Sequence, residues 1–314
     1  MSTQCLAVTL GDPRGIGPEV AAKAVRHLRE HGDDTDFIFV GPDGFDPGLG
    51  AYEAVGRFDG SERSAGILSA RAVETAVRLS LAGTAMGIVT GPIHKPALRS
   101  AGLAEPGHTE LLQRLTGVSD VGMLMTAEVT RLGPPLRVLL ATTHVPLRSV
   151  PDLMTSDLLV SKAMLLNAAL EVDWSLPRPR IALCALNPHA SDGGLFGDEE
   201  DRVYRPAVDA LWSAGVEVDG PIPADTVFSR ALDGEYDAVV APYHDVGMAP
   251  FKTIAFGAGV NVTLGLPFVR TSPDHGTAFD LVGTGRAEPS SMQAAIRLAS
   301  RLALTRFDTL TAQM

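Results

Sequence analysis

The sequence predicts an α/β fold with mostly parallel sheets. Short, continuously apolar runs recur along the chain, each followed by a turn containing Gly or Pro and then by a helical pattern; LAVTL precedes GDPRGIGPE, and MGIVT precedes GPIHKP. Continuous apolar runs, unlike alternating ones, are typical of strands buried on both faces of a sheet. With 314 residues, of which 45% are hydrophobic, the chain is long enough to form two domains.

The same pattern of an apolar run, a turn and a helix predicts the other strands and helices. Further strands are predicted at DFIFV, LRVLLATTH, RIALCALNPH, YDAVVAPYHD and VNVTLGLP. Helices are predicted to begin at Pro18, Ser64, His108, Ser156 and Ser290; proline suits a first helical turn, and serine is a good cap. The glycine-rich stretch Asp43–Gly60 has little pattern and is predicted to be a surface loop. Because open α/β sheets bind ligands at the carboxyl ends of their strands, the residues directly after the strands are the functional candidates.

Charge and cysteine usage narrow the class of protein. A net charge of -11 argues against binding to nucleic acid or to an anionic membrane. Cys5 and Cys184 lie far apart in apolar stretches, as buried thiols of a reducing compartment do. The chain shows neither a signal-peptide pattern at its start nor an apolar run of the roughly 18 residues that a membrane helix needs. We therefore expect a cytoplasmic protein.

Three histidines each follow a predicted strand: His144 in LLATTHVPL, His189 in LCALNPHASDGG and His244 in VVAPYHDVGMAP. They are 45 and 55 residues apart (189 − 144 and 244 − 189), so each belongs to a different strand–helix unit. Parallel strands bring their carboxyl ends to one edge, where three neutral imidazoles would form a ligand set for a borderline divalent ion. The alternative is three unrelated turn histidines, but the repeated placement favours one shared metal site.

Three aspartates are candidates to orient these imidazoles. Asp245 follows His244 directly, Asp192 follows His189, and Asp225 lies in IPADTVF. Carboxylates commonly accept a hydrogen bond from the second nitrogen of a metal-bound histidine. Two other interpretations stay open, in which Asp225 or Asp245 is itself a ligand, or each aspartate only caps a helix.

Hydrogen-bond donors for an anion occur on glycine-rich turns. Lys252 lies in YHDVGMAPFK, Asn261 in VNVTL and Arg270 in GLPFVRTSPDHG. Lysine, arginine and amide groups on such turns can bind carboxylate or phosphate, although lone Lys and Arg residues are usually solvated. GHTELL places His108 and Thr109 at a predicted helix start, where free N–H groups favour an anion, unless Thr109 is only a cap. GDPRGIGPE matches no standard phosphate loop and by itself indicates only a tight turn.

Taken together, these segments resemble one family. TLGDPRGIGPE, VTGPIHKPAL, GHTELL, ATTHVPL, ALNPHASDGG, YHDVG and RTSPDHGTAFDLVGTGRA occur in the order found in the 4-hydroxythreonine-4-phosphate dehydrogenases of pyridoxal phosphate synthesis. The resemblance implies two α/β/α lobes with a cleft between them, as in isocitrate and isopropylmalate dehydrogenases, and a homodimer with active sites at its interface. We expect a first lobe from residues 1–121 and 262–314, carrying both termini. Residues 122–261 would form the second lobe, with the metal ligands and the dimer contacts.

The resemblance also implies a role for each candidate residue. The metal, usually zinc with magnesium or cobalt as alternatives, would be held by His144, His189 and His244. The substrate would be bound by His108, Thr109, Lys252, Asn261 and Arg270. The catalytic groups would be Lys252, Asp245 and Asp225. NAD or NADP would bind the loop Ser272–Gly285 through Asp274, His275, Gly276, Thr277 and Gly285.

The implied reaction is a metal-dependent oxidation of 4-phosphooxy-L-threonine, a small anionic hydroxy acid, to its 3-oxo acid. Decarboxylation would then give 3-amino-2-oxopropyl phosphate. The chain departs from the family pattern at Arg14, Leu195, Val246 and Pro273. These changes remove no predicted ligand but favour considering a paralogue, one that acts on a four-carbon acid-sugar phosphate or an aromatic cis-dihydrodiol carboxylate. Two other classes also remain: a non-redox metal-dependent hydrolase or lyase, and a small-phosphate sensor.

One segment is a candidate for the dimer contact. Gly122–Arg137, GMLMTAEVTRLGPPLR, is rich in Met and Leu and could belong to a self-complementary apolar patch. The alternative is that Met123, Leu124 and Met125 are ordinary core residues of a strand.

Overall fold

A computed structural model of the protein describes residues 5–105 and 107–312. It divides into two compact units, Met1–Val121 with Val260–Asp308, and Gly122–Gly259 with Thr309–Met314. Each unit is built on a mostly parallel sheet with helices packed against it, which confirms the predicted α/β class. The predicted first lobe carries both termini, whereas the structure groups the end of the chain with the second unit. There the Thr309 hydroxyl donates a hydrogen bond to the Val172 carbonyl at 3.2 Å.

The strands are, in chain order, β1 (Cys5–Thr9), β2 (Asp36–Gly41), β3 (Ala51–Ala54), β4 (Gly87–Thr90), β5 (Gly122–Ala127), β6 (Leu136–Leu140), β7 (Ile181–Cys184), β8 (Val218–Ile222), β9 (Ala238–Ala241), β10 (Val260–Leu264) and β11 (Val269–Pro273). The helices are α1 (Gly17–Glu30), α2 (Glu62–Leu81), α3 (Lys95–Ser100), α4 (His108–Thr116), α5 (Val150–Leu153), α6 (Ser156–Asp173), α7 (Arg205–Ser213), α8 (Ala224–Leu232), α9 (His244–Ala255) and α10 (Ser290–Ala312).

The structure corrects the predicted start of α2 and the predicted cap of α6, because in both cases the capping side chain lies just outside the helix; α6 itself begins at Ser156 as predicted. The Ser61 hydroxyl accepts a hydrogen bond from the backbone N–H of Ser64 at 3.0 Å, so α2 begins at Glu62. Thr155, and not Ser156, caps α6 by accepting from the N–H of Leu158 at 3.1 Å. A cap of this kind satisfies one of the free N–H groups of the first turn.

The sheet of the first unit has the strand order β3-β2-β1-β4-β11-β10, parallel except where β10 runs antiparallel to β11. Its β1 and β4 are buried along their whole length, as their continuous apolar sequences predict. The stretch Asp43–Gly60 is not only a loop, since it contains the edge strand β3. Tyr52 anchors this strand by donating a hydrogen bond to the Pro42 carbonyl.

The sheet of the second unit has the order β5-β6-β9-β7-β8, in which only β5 and β6 pair antiparallel. Leu124 and Met125 of β5 are fully buried, and Met123 packs against the same core, so these are strand residues of the core. In the segment proposed for the dimer contact, the exposed apolar side chains are instead Val129 and Leu132.

In the described part of the chain no single helix is long and apolar enough to cross a bilayer. One bent pair, Leu147–Leu153 with Ser156–Asp173, reaches the necessary length and composition only when the two pieces are taken together, and they meet at 91°.

Candidate functional site

Two of the three predicted metal-binding histidines meet because the strands before them are neighbours. β6 pairs in parallel with β9, with Leu140 opposite Ala241. The pairing continues past the strand ends, where Thr142 donates to the Pro242 carbonyl through both its N–H (3.2 Å) and its hydroxyl (2.7 Å). Both chains therefore leave the sheet side by side. His144 and His244 follow, with 5.7 Å between their ring centroids.

A cavity of about 190 Å³ lies at this edge of the second unit, and His144 and His244 both line it. Its other walls are formed by Thr143, Val145, Leu147, Val150, Tyr243 and Asp245. The Nδ1 atom of His244 is 2.7 Å from the Asp245 carboxylate. When Nδ1 donates this hydrogen bond, the proton of the neutral ring is on Nδ1 and Nε2 carries the lone pair. Imidazole binds a metal in this neutral form, through the nitrogen with the lone pair. The position of Asp245 therefore agrees with its predicted role in orienting His244.

The side chains at this cavity are of the type that binds a borderline divalent ion, but there are too few of them for a complete ligand set. Two imidazoles face one polar cavity, with a carboxylate behind one of them. Within residues 5–105 and 107–312, however, no group of three or more His, Cys, Asp or Glu side chains is arranged to hold a metal ion. Three protein ligands are the usual minimum for a catalytic zinc site. The three-histidine ligand set consequently stays a prediction.

His189 is exposed in the loop after β7 and is not among the residues that line the cavity. The loop makes a left-handed turn: His189, Ala190, Ser191 and Asp192 all have positive φ, between 46° and 69°. Each non-glycine residue in this conformation costs about 1–2 kcal/mol. A run of four needs other contacts to hold it, so the surroundings of the loop decide where His189 lies.

The remaining groups predicted to be catalytic lie elsewhere on the second unit. Asp225 is exposed in the first turn of α8. Lys252 is half-buried on α9, eight residues beyond His244 and therefore about 12 Å farther along the helix axis. Neither residue is among those that line the cavity of the histidine pair, and their catalytic roles stay predictions.

Arg270 is the most informative of the predicted substrate-binding residues. It is only 2% exposed, on β11 of the first unit, and donates to the hydroxyls of Thr263 (2.9 Å) and Thr90 (2.5 Å). Its Nε is buried and, within the described residues, has no hydrogen-bond partner. Burial lowers the pKa of Arg270 to about 9, and no ion pair with a described carboxylate offsets this cost. A buried arginine without a counter-charge is typical of a site that receives an anion.

Two more unsatisfied polar groups belong to this part of the first unit. Asn261 lies on β10, two residues from Thr263 and hence on the face of the sheet that Arg270 contacts. The Asn261 Oδ1 and the His108 Nε2 are both buried without a partner among the described residues. Burial, then the charges of Arg270 and Lys95, hold the pKa of His108 well below its usual value. His108, Asn261 and Arg270 thus bring unpartnered buried polar atoms to the first unit. Their binding of an anion stays a prediction, and we refer to the three as the proposed anion pocket.

Thr109 is another of the residues predicted to bind the substrate. It is the second residue of α4, and the cap of this helix is Gly107. Its backbone N–H belongs to the first turn, where amides have no partner within the helix. The structure is therefore consistent with the prediction that the first turn of α4 offers backbone N–H donors. That the proposed anion pocket and the histidine pair belong to one cleft stays a prediction.

The low pKa of His108 predicts a specific acid sensitivity. Below about pH 6.5 the unfolded chain takes up a proton on His108 that the folded chain does not, so stability is lost as the pH falls. We expect His108→Gln to reduce the slope of unfolding free energy against pH by as much as about 1.4 kcal/mol per unit below pH 6.5. Urea unfolding between pH 5 and 7.5 measures this, with the exposed His31→Gln variant as control. Equal slopes in wild type and His108→Gln would contradict the assignment.

The proposed cofactor loop packs against the glycine-rich turn near the start of the chain. The N–H of Ile16 donates to the Thr277 carbonyl at 2.9 Å, and a Cβ on Gly15 would lie 2.8 Å from that same oxygen. Gly15 is therefore needed for the close approach. Lys23 ties down the end of the loop by donating to the Gly285 carbonyl at 2.8 Å. His275 Nε2 is buried and unpartnered among the described residues. Because Nδ1 donates to the Gly276 carbonyl at 2.9 Å, Nε2 of the neutral ring is an acceptor for a ligand.

The sequence departure at Arg14 belongs to the same place. Arg14 forms an ion pair with the fully buried Asp12 at 2.8 Å and with Glu62 at 3.3 Å. Its guanidinium also lies 5.3 Å from the ring centroid of Phe279, in the proposed cofactor loop. Sequence reasoning did not identify Asp12, although a carboxylate inside a glycine-rich turn is a usable signal. Because two carboxylates already neutralise Arg14, it tethers the loop and does not present a free charge.

Comparisons with known proteins agree on one family. Residues 43–299 match the family model described as "Pyridoxal phosphate biosynthetic protein PdxA". A 4-hydroxythreonine-4-phosphate dehydrogenase from Ruegeria sp. (strain TM1040) is 40% identical over 330 residues, covering 96% of this chain and 98% of that protein. A D-threonate 4-phosphate dehydrogenase from Pectobacterium atrosepticum is 36% identical, with 96% and 100% covered.

Solved structures give the same picture. The crystal structure of a 4-hydroxythreonine-4-phosphate dehydrogenase from Klebsiella pneumoniae matches with a TM-score of 0.82 at 38% identity, covering 96% of this chain and 99% of that one. A terephthalate 1,2-cis-dihydrodiol dehydrogenase from Burkholderia xenovorans matches with 0.66 at 26% identity, covering 95% and 98%. An isocitrate dehydrogenase from Methylococcus capsulatus, at 14% identity and a TM-score of 0.54 over 99% and 88% of the two chains, shows likeness of fold alone.

Proposed function

Because the chain belongs to the PdxA family of pyridoxal phosphate biosynthetic proteins, we propose that it is a metal-dependent NAD(P) dehydrogenase. Its proposed substrate is 4-phosphooxy-L-threonine, oxidised at the secondary alcohol to the 3-oxo acid. Loss of carbon dioxide then gives 3-amino-2-oxopropyl phosphate. The observation that carries the proposal is the proposed anion pocket of the first unit, where Arg270 is buried without a counter-charge from any residue that the structure describes.

The pocket suits the phosphate of this substrate. Among the described residues, Arg270 Nε and His108 Nε2 have no hydrogen-bond partner, and the charge of Arg270 contributes to the lowered pKa of His108. A phosphate would provide the acceptor oxygens and the negative charge that the buried guanidinium lacks. In a protein of net charge -11, such a concentrated positive site supports recognition of an anion in one place. The Arg270 side chain is already fixed by Thr90 and Thr263, so little ordering is needed on binding.

The histidine pair of the second unit supports the redox step. A divalent ion held by His144, His244 and, as the third ligand, His189 of the same or the partner chain would supply Lewis acidity to the substrate hydroxyl and lower its pKa. Asp245 keeps the His244 ring in one tautomer, with Nε2 directed away from the carboxylate. The loop Ser272–Gly285 would hold the nicotinamide cofactor, which would supply the hydride acceptor. Lys252 either relays the proton or stabilises the enolate charge that develops as carbon dioxide leaves.

A second candidate substrate is a four-carbon acid-sugar phosphate. The relative named D-threonate 4-phosphate dehydrogenase covers the same 96% of this chain as the Ruegeria relative does. Leu195 is also 71% exposed on the His189 loop, at a position where the resemblance leads us to expect a histidine. An apolar residue there removes a donor for a polar substituent. The proposed anion pocket suits the phosphate of both substrates, whereas an aromatic dihydrodiol carboxylate has no phosphate.

The direct test is a screen for NADH or NADPH production. The purified protein is supplied with Zn²⁺, Mg²⁺ or Co²⁺, either dinucleotide, and 4-phosphooxy-L-threonine, D-threonate 4-phosphate or a cis-dihydrodiol carboxylate. We expect metal-dependent reduction of the dinucleotide with a phosphorylated substrate. Quenching or enhancement of NADH fluorescence reports the cofactor site separately. Metal-dependent turnover without any dinucleotide binding would favour a hydrolase or lyase, and phosphate binding without turnover would favour a sensor.

We further propose a homodimer whose sites combine residues of both chains, since His144 and His244 are the histidines that the described residues of one chain bring to the cavity. Mixing His144→Ala with Lys252→Ala tests this. If these two groups serve one site from different chains, random exchange makes half of the dimers hybrid, each with one restored site of two. Activity should then recover to about a quarter of wild type. Verified exchange without recovery would place both groups in a site of one chain, and an active monomer would remove the dimer proposal.

A further inference from the structure

We infer that Glu200 is a positioning residue for His189, fixing the loop that presents this imidazole to the metal. The inference rests on the proposed function, because His189 is there the third ligand. Glu200 itself has no predicted role in the sequence and lies eleven residues beyond His189. It starts a short π-helical turn, Glu200–Tyr204, and is only 2% exposed.

The carboxylate of Glu200 binds the loop on both sides of His189. Before the histidine, Oε1 accepts hydrogen bonds from the backbone N–H groups of Leu186 (3.0 Å) and Asn187 (2.7 Å), and Oε2 accepts from the Asn187 side-chain amide (2.9 Å). After the histidine, Oε2 also accepts from the Ser191 hydroxyl. His189 is thus the midpoint of a five-residue segment whose two ends are held by one buried carboxylate.

The conformation of the segment explains why it needs this anchor. His189 and its three successors adopt left-handed backbone angles, which L-residues disfavour. The described backbone hydrogen bonds within the loop join Ala190 N–H to the Asn187 carbonyl (3.2 Å), and the N–H groups of Gly193, Gly194 (3.1 Å) and Phe196 (3.1 Å) to the Ser191 carbonyl. Hydrogen bonds to a buried charged acceptor are stronger than these neutral ones. Without the carboxylate, the segment would be free to return to right-handed or extended conformations and carry the imidazole with it.

The anchor leaves the imidazole itself untouched. His189 is exposed, and Glu200 contacts its neighbours and not its ring, so the ring nitrogens stay free for a ligand. Leu195 and Phe196, farther along the same loop, are 71% and 45% exposed. A rigid loop that projects a histidine among exposed apolar side chains is suited to completing a site with groups outside the loop. Glu200 therefore acts on metal binding through the loop, at a distance from the metal.

The test measures Co²⁺ binding by metal-free protein, using the visible d–d absorption of the ion as readout. We expect Glu200→Gln to weaken Co²⁺ binding about 10- to 100-fold, the range found for residues that orient metal ligands, and to change the shape of the spectrum. The variant keeps the size of the side chain, but one of its two acceptor oxygens becomes an NH₂ group facing the Asn187 amide donor. Ser191→Ala, which removes only the contact after His189, should give a smaller loss in the same direction.

Glu199→Gln is the matched control. Its neighbouring carboxylate accepts a single hydrogen bond, from the Asn187 side chain at 2.7 Å, and none from the backbone on either side of His189. We expect its Co²⁺ affinity and spectrum to stay within twofold of wild type. Thermal unfolding of all variants separates loss of fold from loss of position. The inference would be overturned if Glu200→Gln and Ser191→Ala both lowered thermal stability but left the Co²⁺ affinity and spectrum unchanged. A wild-type protein that binds no Co²⁺ would contradict the proposed function itself.

Discussion

Replacing Arg270 with Met is expected to lower kcat/KM for a phosphorylated substrate by about 10²- to 10⁴-fold. A hydrogen bond to a charged group contributes about 1.5–3 kcal/mol, and a guanidinium can offer a phosphate two of them. Methionine fills much of the buried volume without charge, because it is unbranched and flexible. Steady-state kinetics with the substrate found in the screen measures the loss, which should appear mainly in KM if the phosphate is held equally in ground state and transition state.

The same variant should unfold at an equal or higher temperature than wild type. In the wild-type protein the Arg270 guanidinium is buried without a counter-charge from the described part of the chain. Removing this charge offsets the loss of hydrogen bonds to Thr90 and Thr263. Arg99→Met, on the exposed side of α3, removes a positive charge of the same unit and should change neither property. Equal losses of substrate and metal affinity in Arg270→Met, with a lower melting temperature, would show that Arg270 supports the fold instead.

The second large effect is expected at the histidine pair. His244→Asn should weaken binding of Co²⁺ or Zn²⁺ by more than about 100-fold and abolish metal-dependent turnover, since it removes a ligand and not merely its orientation. Asp245→Asn should give an intermediate loss, because the amide still contacts Nδ1 but no longer supplies a carboxylate to fix the tautomer. Isothermal titration of metal-free protein with each ion provides the affinities.

Two variants delimit this second prediction. Asp225→Asn, on the exposed first turn of α8, should retain wild-type metal affinity if Asp225 is only a surface carboxylate, and a loss comparable to that of His244→Asn would make it a ligand. His31→Gln removes an exposed imidazole on the first unit and controls for adventitious binding. If His244→Asn bound metal as tightly as His31→Gln does, the histidine pair would not be the metal site.

The sequence by itself determined the fold class and the position of the site along each strand. Continuous apolar runs predicted buried parallel strands, and β1, β4 and β6 are buried throughout. The strand-then-histidine pattern predicted that His144 and His244 would meet, since it depends only on parallel strands sharing a carboxyl edge. The anion pocket was predicted only as a set of donors. Nothing local distinguished the buried Arg270 from a solvated arginine.

What only the tertiary structure decided depends on strand order and on contacts between distant residues. β9 lies between β6 and β7, and direct pairing with β6 brings His244 beside His144. His189 leaves the sheet on a longer loop, whose course is set by hydrogen bonds to Glu200 rather than by the strand before it. The burial of Arg270 likewise arises from β10, β11 and β4 meeting in one sheet, so that Thr263 and Thr90 enclose its guanidinium. Sequence patterns record which face of an element is apolar, but the pairing of elements far apart in the chain is a property of the packed fold.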